Sequence, residues 1–423
     1  MLDIKLIRDD PKAVEDNISR RGDKSHLKRL AEVISLDSEW RTLKRNMDGL
    51  RQKRNQLSSN VDEVRKAGGD FKSIVAEARD VGEEIKRHES ECDAIRSRID
   101  DSLMRLPNIL HDSVPVGESE EDNVVVRTWG DASKPGFELK HHGDIAVELG
   151  LADFDRAVKI SGAGFYFLKG DLALMDYALM MMGIEMLVGK GYTLVEPPLM
   201  MRRKPYEGVT DLADFENVMY KINEEDEYLI ATSEHPMAAM YMNEILEESD
   251  LPLKYCGISP CFRREIGKHS IDERGLFRVH QFNKIEQFVF SKPEDGWSLH
   301  EELVSNAEEL LKAVGIPYRV VNVCTGDIGT VAAKKYDIEG WSPREGKYIE
   351  LMSCSNCTSY QAARLGIRYR HGQEKNPVHT LNATMVATSR ALRLILENYQ
   401  TADGKVRVPE ALQKRMGGRK EMG

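Results

Sequence analysis

The sequence predicts an α+β protein in which a helical hairpin precedes a domain built on a largely antiparallel sheet. Apolar residues follow an alternating three-four spacing between positions 33 and 99, which is typical of a coiled coil. Beyond position 170, short strand-like segments alternate irregularly with helices and loops rather than forming βαβ units. The sequence has neither a G-x-G-x-x-G motif nor a Walker glycine loop, which argues against a Rossmann or P-loop domain.

Composition limits the class of protein. The 423 residues are 41% hydrophobic and 31% charged, with a net charge of −10, which suits two or three soluble domains. The N-terminus is charged throughout, and the longest apolar segment is interrupted by Glu185 and ends at Lys190. We therefore expect neither a secretory signal nor a membrane span. Six scattered cysteines indicate a reducing compartment, so we expect the cytoplasm.

The predicted hairpin has a seam of apolar residues on each of its two helices, separated by a turn at Gly68 and Gly69. The seam residues are Val33, Leu36, Trp40, Leu43, Met47, Leu50, Leu57, Val61 and Val64, then Ile74, Ala78, Val81, Ile85, His88, Cys92, Ile95 and Ile99. At 1.5 Å per residue, such a hairpin is roughly 55–60 Å long. His88 and Cys92 are too few ligands for a metal site, so we expect both to pack in the seam.

The two helices differ in charge. Residues 41–66 contain eight Lys/Arg and three Asp/Glu, whereas residues 70–106 contain seven basic and ten acidic residues. An excess of positive charge on one helix favours contact with a nucleic-acid backbone. On this feature alone, an interaction stalk or a dimerisation rod is an equally good interpretation.

We divide the chain into an N-terminal domain over 1–108, a linker and entry segment over 109–171, a main domain over 172–410 and a tail over 411–423. The linker is rich in turn-forming and acidic residues, and the glycine-rich tail is expected to be disordered. In the main domain, apolar spacing predicts a helix from Leu172 to Val188. Adjacent prolines at 197 and 198 predict that the next strand ends there or lies at a sheet edge.

Residues 261–290 predict two strands joined by a long polar loop. Alternation of side chains gives each strand one charged face, formed by Arg263 and Glu265 on the first strand and by Arg278, His280, Phe282, Lys284 and Glu286 on the second. Arginine binds phosphate through paired hydrogen bonds, and an aromatic ring stacks on a base. A nucleotide-binding face and a solvated face with cross-strand ion pairs are both compatible with this pattern.

Polar residues also gather at two places where helices are predicted to begin. Thr232, Ser233 and Glu234 precede a helix, where they either cap it or contact a ligand. Arg390 stands in the first turns of a C-terminal helix that follows a predicted loop. Its guanidinium either pairs with a carboxylate or covers a bound base.

Two further sets lie in the segment YIELMSCSNC. Glu350 and Ser353 offer the oxygen ligands that Mg²⁺ accepts when phosphates supply the rest. Cys354 and Cys357 form a C-x-x-C motif, but no second pair of ligands occurs at zinc-site spacing. We expect neither zinc binding nor redox chemistry from this pair.

Taken together, these segments resemble the seryl-tRNA synthetase family of class II aminoacyl-tRNA synthetases. The motifs that carry the resemblance are TSEHP, CFRREIG, RGLFRVHQFNKIEQFVF, YIELMSCSNCTSYQAARLGIRYR and LNATMVATSR, in the order of the family. The resemblance covers essentially the whole chain. It implies a class II catalytic domain over 172–410, with an antiparallel sheet flanked by helices, and a tRNA-binding domain with an antiparallel coiled-coil arm over 1–108.

The resemblance implies a serine–tRNA ligase that uses ATP and Mg²⁺, acts on L-serine and tRNA(Ser), and forms a homodimer. It leaves tRNA(Sec) open as a further substrate. Two other functions are alternatives: an amino acid ligase that loads a carrier protein, and a non-catalytic RNA-binding paralogue. The long arm argues against the first, and the intact charged residues of the nucleotide site argue against the second.

The resemblance also assigns site residues. The catalytic set is Arg263, Glu265 and Arg390. The serine-binding set is Thr232, Ser233, Glu234, Arg263, Glu286, Asn382 and Thr384. The ATP-binding set is Arg263, Arg264, Glu265, Arg278, Val279, Phe282, Glu350, Leu351, Met352, Ser353 and Arg390. Of these, Glu350 and Ser353 are the implied Mg²⁺ ligands.

The resemblance gives several of these residues individual roles: Glu265 contacts the adenine side of ATP, and the backbone of Val279 contacts ATP. Arg263 holds the α-phosphate, Phe282 stacks on adenine, Glu286 binds the serine ammonium, Thr384 recognises the serine hydroxyl and Arg390 clamps ATP. The chain departs from many class II enzymes in lacking a glycine-rich third motif, where it has Ala383, Met385 and Ser389.

Overall fold

The structure is a computed structural model that describes residues 1–212, 216–265 and 275–423. These residues form two compact units, Met1–Pro107 and Asn108–Gly423. Each unit contains its own cluster of buried apolar side chains.

The first unit is helical. Its helices are α1 (Ile4–Asp9), α2 (Pro11–Ser19), α3 (Lys24–Lys66) and α4 (Lys72–Met104). Asp23 caps α3 because its carboxylate accepts a hydrogen bond from the backbone N–H of Ser25. Gly68 adopts a φ of 71° in the turn after α3, a conformation that glycine reaches without a steric penalty.

Helices α3 and α4 pack together in antiparallel orientation. The ion pairs between them join Lys53 to Glu77 at 2.8 Å, Arg51 to Glu89 at 2.9 Å and Glu32 to Arg98 at 3.5 Å. The residue numbers of the partners on α4 therefore rise as those on α3 fall. The buried residues of the seam are Val33, Leu36, Met47, Leu57, Val81, Ile85, Cys92, Ile95 and Ile99. The predicted antiparallel coiled-coil hairpin is confirmed, and α3 begins at Lys24, before the first predicted seam residue.

The second unit combines helices with a large sheet. Its described helices are α5 (His142–Glu148), α6 (Phe154–Ser161), α7 (Gly170–Gly189), α8 (Arg203–Val209), α9 (Glu234–Ala239), α10 (Gly296–Val314), α11 (Tyr360–Leu365), α12 (Thr388–Asn398) and α13 (Glu410–Gln413). Its strands are β1 (Val124–Trp129), β2 (Ala152–Asp153), β3 (Phe167–Leu168), β4 (Thr193–Val195), β5 (Met200–Arg202), β6 (Glu227–Leu229), β7 (Ile245–Glu247), β8 (Leu253–Phe262), β9 (Gln281–Ser291), β10 (Tyr318–Asn322), β11 (Lys334–Ser342), β12 (Lys347–Thr358), β13 (Arg368–His371), β14 (Glu374–Pro377), β15 (His379–Ala387), β16 (Val406–Arg407) and β17 (Glu421–Met422).

The main sheet has eight described strands in the order β1-β10-β11-β12-β15-β9-β8-β4. Neighbouring strands are antiparallel throughout, except that β4 and β8 are parallel. The predicted α+β architecture with a largely antiparallel sheet is therefore confirmed. Strand β4 ends at Val195, ahead of Pro197 and Pro198, and forms one edge of the sheet as those prolines predict.

Strand β9 shows how the sheet separates two buried clusters. Ile285 and Val289 face a core that includes residues of α7, α10 and α12, whereas Phe288 and Phe290 belong to a second cluster. This division follows from the alternation of side chains along a strand. One face of the sheet is thus filled by helices, and the other carries a second apolar cluster beside the polar residues of β9.

Helix α7 covers the predicted helix from Leu172 to Val188 and extends it slightly at both ends. Within the described residues it is the helix that has the length and apolar composition of a membrane span. Half of its most apolar stretch of 18 residues is nevertheless buried inside the protein. That burial is typical of the core helix of a soluble protein.

Segment 109–171 and the tail both belong to the second compact unit. Segment 109–171, expected to be a linker, supplies β1 to one edge of the main sheet. The prediction of a disordered tail is wrong, because Met422 is fully buried and pairs with Val406. The composition of the tail does not reveal this pairing, because its partner strand lies elsewhere in the chain.

Candidate active site

Strands β12, β15, β9 and β8 are consecutive neighbours in the main sheet, so residues from distant segments come together. Glu286 on β9 lies opposite Thr384 on β15 and opposite Gly257 on β8. Asn382 is two residues before Thr384 and therefore shares its face of β15. On the other side of β12, Ser353 lies opposite Asp337 of β11.

A cavity opens beside these strands and collects most of the predicted ATP residues. Its lining residues are Arg263, Glu265, Phe277, Val279, Phe282, Lys284, Glu350, Leu351, Ser353, Thr384, Ala387, Ser389 and Arg390. Three predicted ATP residues do not line it. Arg264 is exposed and donates its backbone N–H to Val218, Arg278 is exposed and lines a neighbouring depression, and Met352 is buried in the core.

The predicted strand pair is shorter than expected. Strand β8 ends at Phe262 and β9 begins at Gln281, so Arg263, Glu265, Arg278 and His280 lie outside the strands. The backbone N–H of Arg263 still donates to the carbonyl of His280 at 2.9 Å. Nδ1 of His280 lies 2.8 Å from the hydroxyl of Tyr220, so this imidazole supports the framework of the site. Residues 266–274 of the predicted polar loop lie outside the described part of the chain.

The basic end of the cavity holds two arginines next to aromatic rings. The guanidinium of Arg263 is 5.3 Å from the ring centre of Phe282, and that of Arg390 is 5.1 Å from the ring centre of Phe277. Arg390 also donates to the carbonyl oxygen of Glu350 at 3.0 Å and lies 3.3 Å from its carboxylate. Partial burial opposes ionisation of Glu350, but Arg390 and a nearby lysine outweigh it and lower the pKa of this carboxyl.

Phe277 is a site residue that the sequence analysis missed. Its ring lies close to both Arg390 and Arg393, with the guanidinium of Arg393 4.6 Å from the ring centre. Arg393 is buried and donates to Glu397 at 2.9 Å along α12. The available signal was an aromatic residue directly before Arg278, but its arginine partners are more than a hundred positions away.

A buried ion pair lies beside the cavity, formed by Lys284, which lines it, and Glu286, which is not among its lining residues. Nζ of Lys284 is 2.5 Å from Oε2 of Glu286, and it donates to the hydroxyl of Thr232 at 3.2 Å. Burial raises the pKa of Glu286, and Lys284 offsets this effect only in part. Lys284 belongs to the predicted charged face but not to any of the predicted site sets.

Glu234 begins helix α9 and accepts two amide hydrogen bonds on Oε1, from Gln361 at 3.1 Å and from Asn382 at 3.2 Å. Burial, together with the negative charge of Glu286, raises the pKa of Glu234 to about 7. Three members of the predicted serine set therefore meet here. Gln361 was not predicted.

Thr232 and Ser233 differ in what they do at the start of α9. The hydroxyl of Thr232 accepts the backbone N–H of Glu234 at 3.3 Å, whereas Ser233 makes no side-chain cap. Within the described residues, the buried hydroxyl of Ser233 has no hydrogen-bond partner. A Cβ at Gly257 would come within 2.8 Å of this hydroxyl, so a larger residue there would displace it. The N-cap interpretation therefore fails for Ser233.

Cys354 and Cys357 are buried and contact different groups. The thiol of Cys354 lies 3.8 Å from the carbonyl oxygen of His300, and the amide of Asn382 lies 3.7 Å from Sγ of Cys357. Burial raises the pKa of both thiols well above the usual range. Across the ranges 1–212, 216–265 and 275–423, no group of three or more His, Cys, Asp or Glu residues is arranged to hold a metal ion.

Comparison with known proteins identifies the family. Residues 1–110 match the model of the seryl-tRNA synthetase N-terminal domain, and residues 216–399 match the tRNA synthetase class II core domain (G, H, P, S and T). The serine–tRNA ligase of Methanocella arvoryzae is 56% identical over 421 residues, which are 99% of each chain. The chain belongs to the seryl-tRNA synthetase family.

Solved structures of seryl-tRNA synthetases have the same architecture as this chain. The crystal structure of the Pyrococcus horikoshii enzyme complexed with ATP is 47% identical, with a TM-score of 0.97 over 100% of this chain and 99% of that chain. The cytoplasmic serine–tRNA ligase of Naegleria fowleri in complex with AMP is 38% identical, with a TM-score of 0.91 over 100% and 98%. The predicted class II synthetase fold is confirmed.

Proposed function

We propose that the cavity beside β9 binds ATP and L-serine next to each other, held by those predicted residues that line the cavity or lie beside it. The reaction is the ATP-dependent ligation of serine to tRNA, the activity of the seryl-tRNA synthetase family. The observation that carries the site assignment is the single face of β9 on which Phe282, Lys284 and Glu286 follow one another. The first and last are four residues apart, about 13 Å along a strand, which suits a base at one end and an amino acid at the other.

Arg263 and Arg390 bind the ATP phosphates in this proposal, and Phe282 stacks on the adenine. The serine carboxylate attacks the α-phosphorus, the bond to the bridging oxygen breaks, and pyrophosphate leaves with its electron pair. Positioning and neutralisation of charge are sufficient for such a transfer, so no side-chain nucleophile is required. The ribose hydroxyl at the 3′ end of tRNA then attacks the carbonyl of the adenylate and releases AMP.

The oxygen donors near Ser353 fit a magnesium ion. Glu350 and Ser353 supply a carboxylate and a hydroxyl, and Asp337 lies opposite Ser353 with one buried carboxylate oxygen that has no hydrogen-bond partner among the described residues. Such a donor set suits Mg²⁺ when phosphates provide the remaining ligands. When bound, Mg²⁺ neutralises phosphate charge. Burial raises the pKa of Asp337, and Lys335, 2.9 Å away, offsets this effect only in part.

Serine selection rests on the acidic end of the site. Glu286 binds the serine ammonium beside Lys284, and Thr384, directly opposite, hydrogen-bonds the serine hydroxyl. A site that hydrogen-bonds a substrate hydroxyl rejects the analogue that lacks it, because its buried polar groups then remain unpaired. Alanine is therefore rejected because it leaves these polar groups unpaired. Threonine is rejected because its additional methyl group exceeds the volume of the pocket.

We assign tRNA binding to the domain over 1–108 and catalysis to the domain over 172–410. The basic helix α3 supports contact with the phosphate backbone of tRNA(Ser). A charging assay with tRNA(Sec) in place of tRNA(Ser) tests whether tRNA(Sec) is also a substrate. The six free cysteines are buried, which suits a reducing compartment, and we place the protein in the cytoplasm.

We also propose a homodimer that uses the outer face of α7. Tyr177, Met181 and Val188 on this helix are large apolar residues with 63%, 46% and 47% of their surface exposed. Exposed apolar residues that cluster on one helix face mark an interface. Sedimentation should give a particle of twice the 48.0 kDa chain, and Met181→Lys should shift it towards the monomer.

Serine-dependent ATP–pyrophosphate exchange tests the site. The full chain should exchange with serine and not with alanine, and Glu286→Gln should lose roughly 100-fold in kcat/KM for serine because the ammonium loses its buried partner. Glu309→Gln, at an exposed glutamate of α10 that pairs with Lys190, is the matched control and should retain exchange. Wild-type activity in the Glu286 variant would overturn the assignment. Exchange without tRNA charging would favour a carrier-loading ligase, and no exchange would favour a non-catalytic paralogue.

A further inference from the structure

Gln361, on the short helix α11, is a fully buried amide whose orientation is fixed by its neighbours. Its Nε2 donates to the carbonyl oxygen of Val209 at 3.3 Å and to Oε1 of Glu234 at 3.1 Å. Its Oε1 accepts from the hydroxyl of Thr380 at 2.7 Å. A flipped amide would set oxygen against two acceptors, so Gln361 faces Glu234 as a donor.

Thr380 also links this amide to the strand that carries the serine residues. Thr380, Asn382 and Thr384 alternate along β15 and share one face. Asn382 donates to the same carboxylate oxygen as Gln361, at 3.2 Å. Oε1 of Glu234 is therefore occupied by two amide donors. In the described residues no hydrogen bond to Oε2 is recorded, and Glu234 is only partly buried.

We propose that Gln361 is a positioning residue for serine recognition: it holds Glu234 so that Oε1 is satisfied by protein and Oε2 faces the bound serine. This inference rests on the proposed function, because it takes Glu234 as part of the serine site. Gln361 itself does not touch the substrate.

The charges around Glu234 explain why such an anchor is needed. Glu286 on β9 is negative and disfavours ionisation of Glu234, whereas Lys284 on β9 and Arg263 after β8 favour it. Amide donors that point at the ionised carboxylate stabilise that form. Removing the Gln361 donor should therefore move the titration of Glu234 to higher pH, an effect that a purely structural residue would not produce.

The test measures KM for serine and for ATP by pyrophosphate exchange in Gln361→Met, in the full chain, between pH 6 and 9. We expect KM for serine to rise about tenfold, as for the loss of one hydrogen bond to a charged group, while KM for ATP stays unchanged. The acid limb of the kcat/KM profile for serine should shift to higher pH. Thr380→Val removes only the hydroxyl that donates to Oε1 of Gln361 and keeps both acceptors of its Nε2, so it should show a smaller change in the same direction.

Gln287→Met is the matched control, because Gln287 is also a fully buried amide but donates to the carbonyl of Leu303 and accepts from Asn306. It should leave KM for serine and the pH profile unchanged. Unchanged KM and pH profile in Gln361→Met would overturn the inference. If Glu234→Gln raises KM for serine in that case, the proposed serine site still stands. If Glu234→Gln has no effect either, the assignment of Glu234 fails as well.

Discussion

Replacing Phe277 by leucine should weaken ATP binding about fivefold and leave serine binding unchanged. Leucine keeps an apolar side chain but removes the ring that lies 5.1 Å from Arg390 and 4.6 Å from Arg393. A cation–π contact is worth about 0.5–1 kcal/mol at an exposed site and about 2 when desolvated. Arg390 has 23% of its side chain exposed, so about 1 kcal/mol is expected for the contact that orients it. That free energy corresponds to about fivefold in KM for ATP.

The assay is pyrophosphate exchange with ATP varied at saturating serine, then serine varied at saturating ATP. Tyr348→Leu is the matched control. It removes a similar contact, because the guanidinium of Arg319 lies 4.9 Å from the ring centre of Tyr348. Tyr348 is not among the residues that line the nucleotide cavity. We expect KM for ATP to rise in Phe277→Leu and not in Tyr348→Leu. An unchanged KM for ATP in a folded Phe277→Leu protein would refute the reasoning, and so would an equal rise in both variants.

Three further results are expected. Serine affinity should fall as the pH drops through about 7, because the pKa of Glu234 is raised to about 7 and protonation removes the charge of its carboxylate. A KM for serine that stays constant between pH 6 and 8 would contradict this. Deleting residues 41–95 should leave exchange intact and abolish tRNA charging, and full charging by the shortened chain would refute the role of the arm. Cys354 and Cys357 should not react with a thiol reagent until the protein is unfolded, since burial raises both pKa values, and rapid labelling of the folded protein would count against this.

The features that depend on local pattern could be predicted from the sequence. The hairpin of α3 and α4 follows from apolar spacing, and the helix at Leu172 follows from the same periodicity. Phe282, Lys284 and Glu286 were placed on one face because alternation along a strand is a local rule. The expected loop before Arg390 is instead strand β15, whose residues pair with β9 and β12, so tertiary pairing decided its conformation.

What the sequence could not show depends on contacts between distant segments. Gln361 meets Glu234 across 127 positions, and nothing near either residue indicates the pairing. The ends of β8 and β9 left Arg263 and Arg278 outside the strands, because strand length is set by pairing rather than by composition. Met422 becomes buried for the same reason, through its partner Val406.

A crystal structure with a non-hydrolysable seryl-adenylate analogue tests the central claim most directly, namely that one cavity beside β9 holds both the nucleotide and the amino acid. The account predicts the adenine on Phe282, the phosphate-like group between Arg263 and Arg390, and the serine ammonium at Glu286 with its hydroxyl at Thr384. Density for the analogue elsewhere, or a serine moiety that contacts neither Glu286 nor Thr384, would contradict the account.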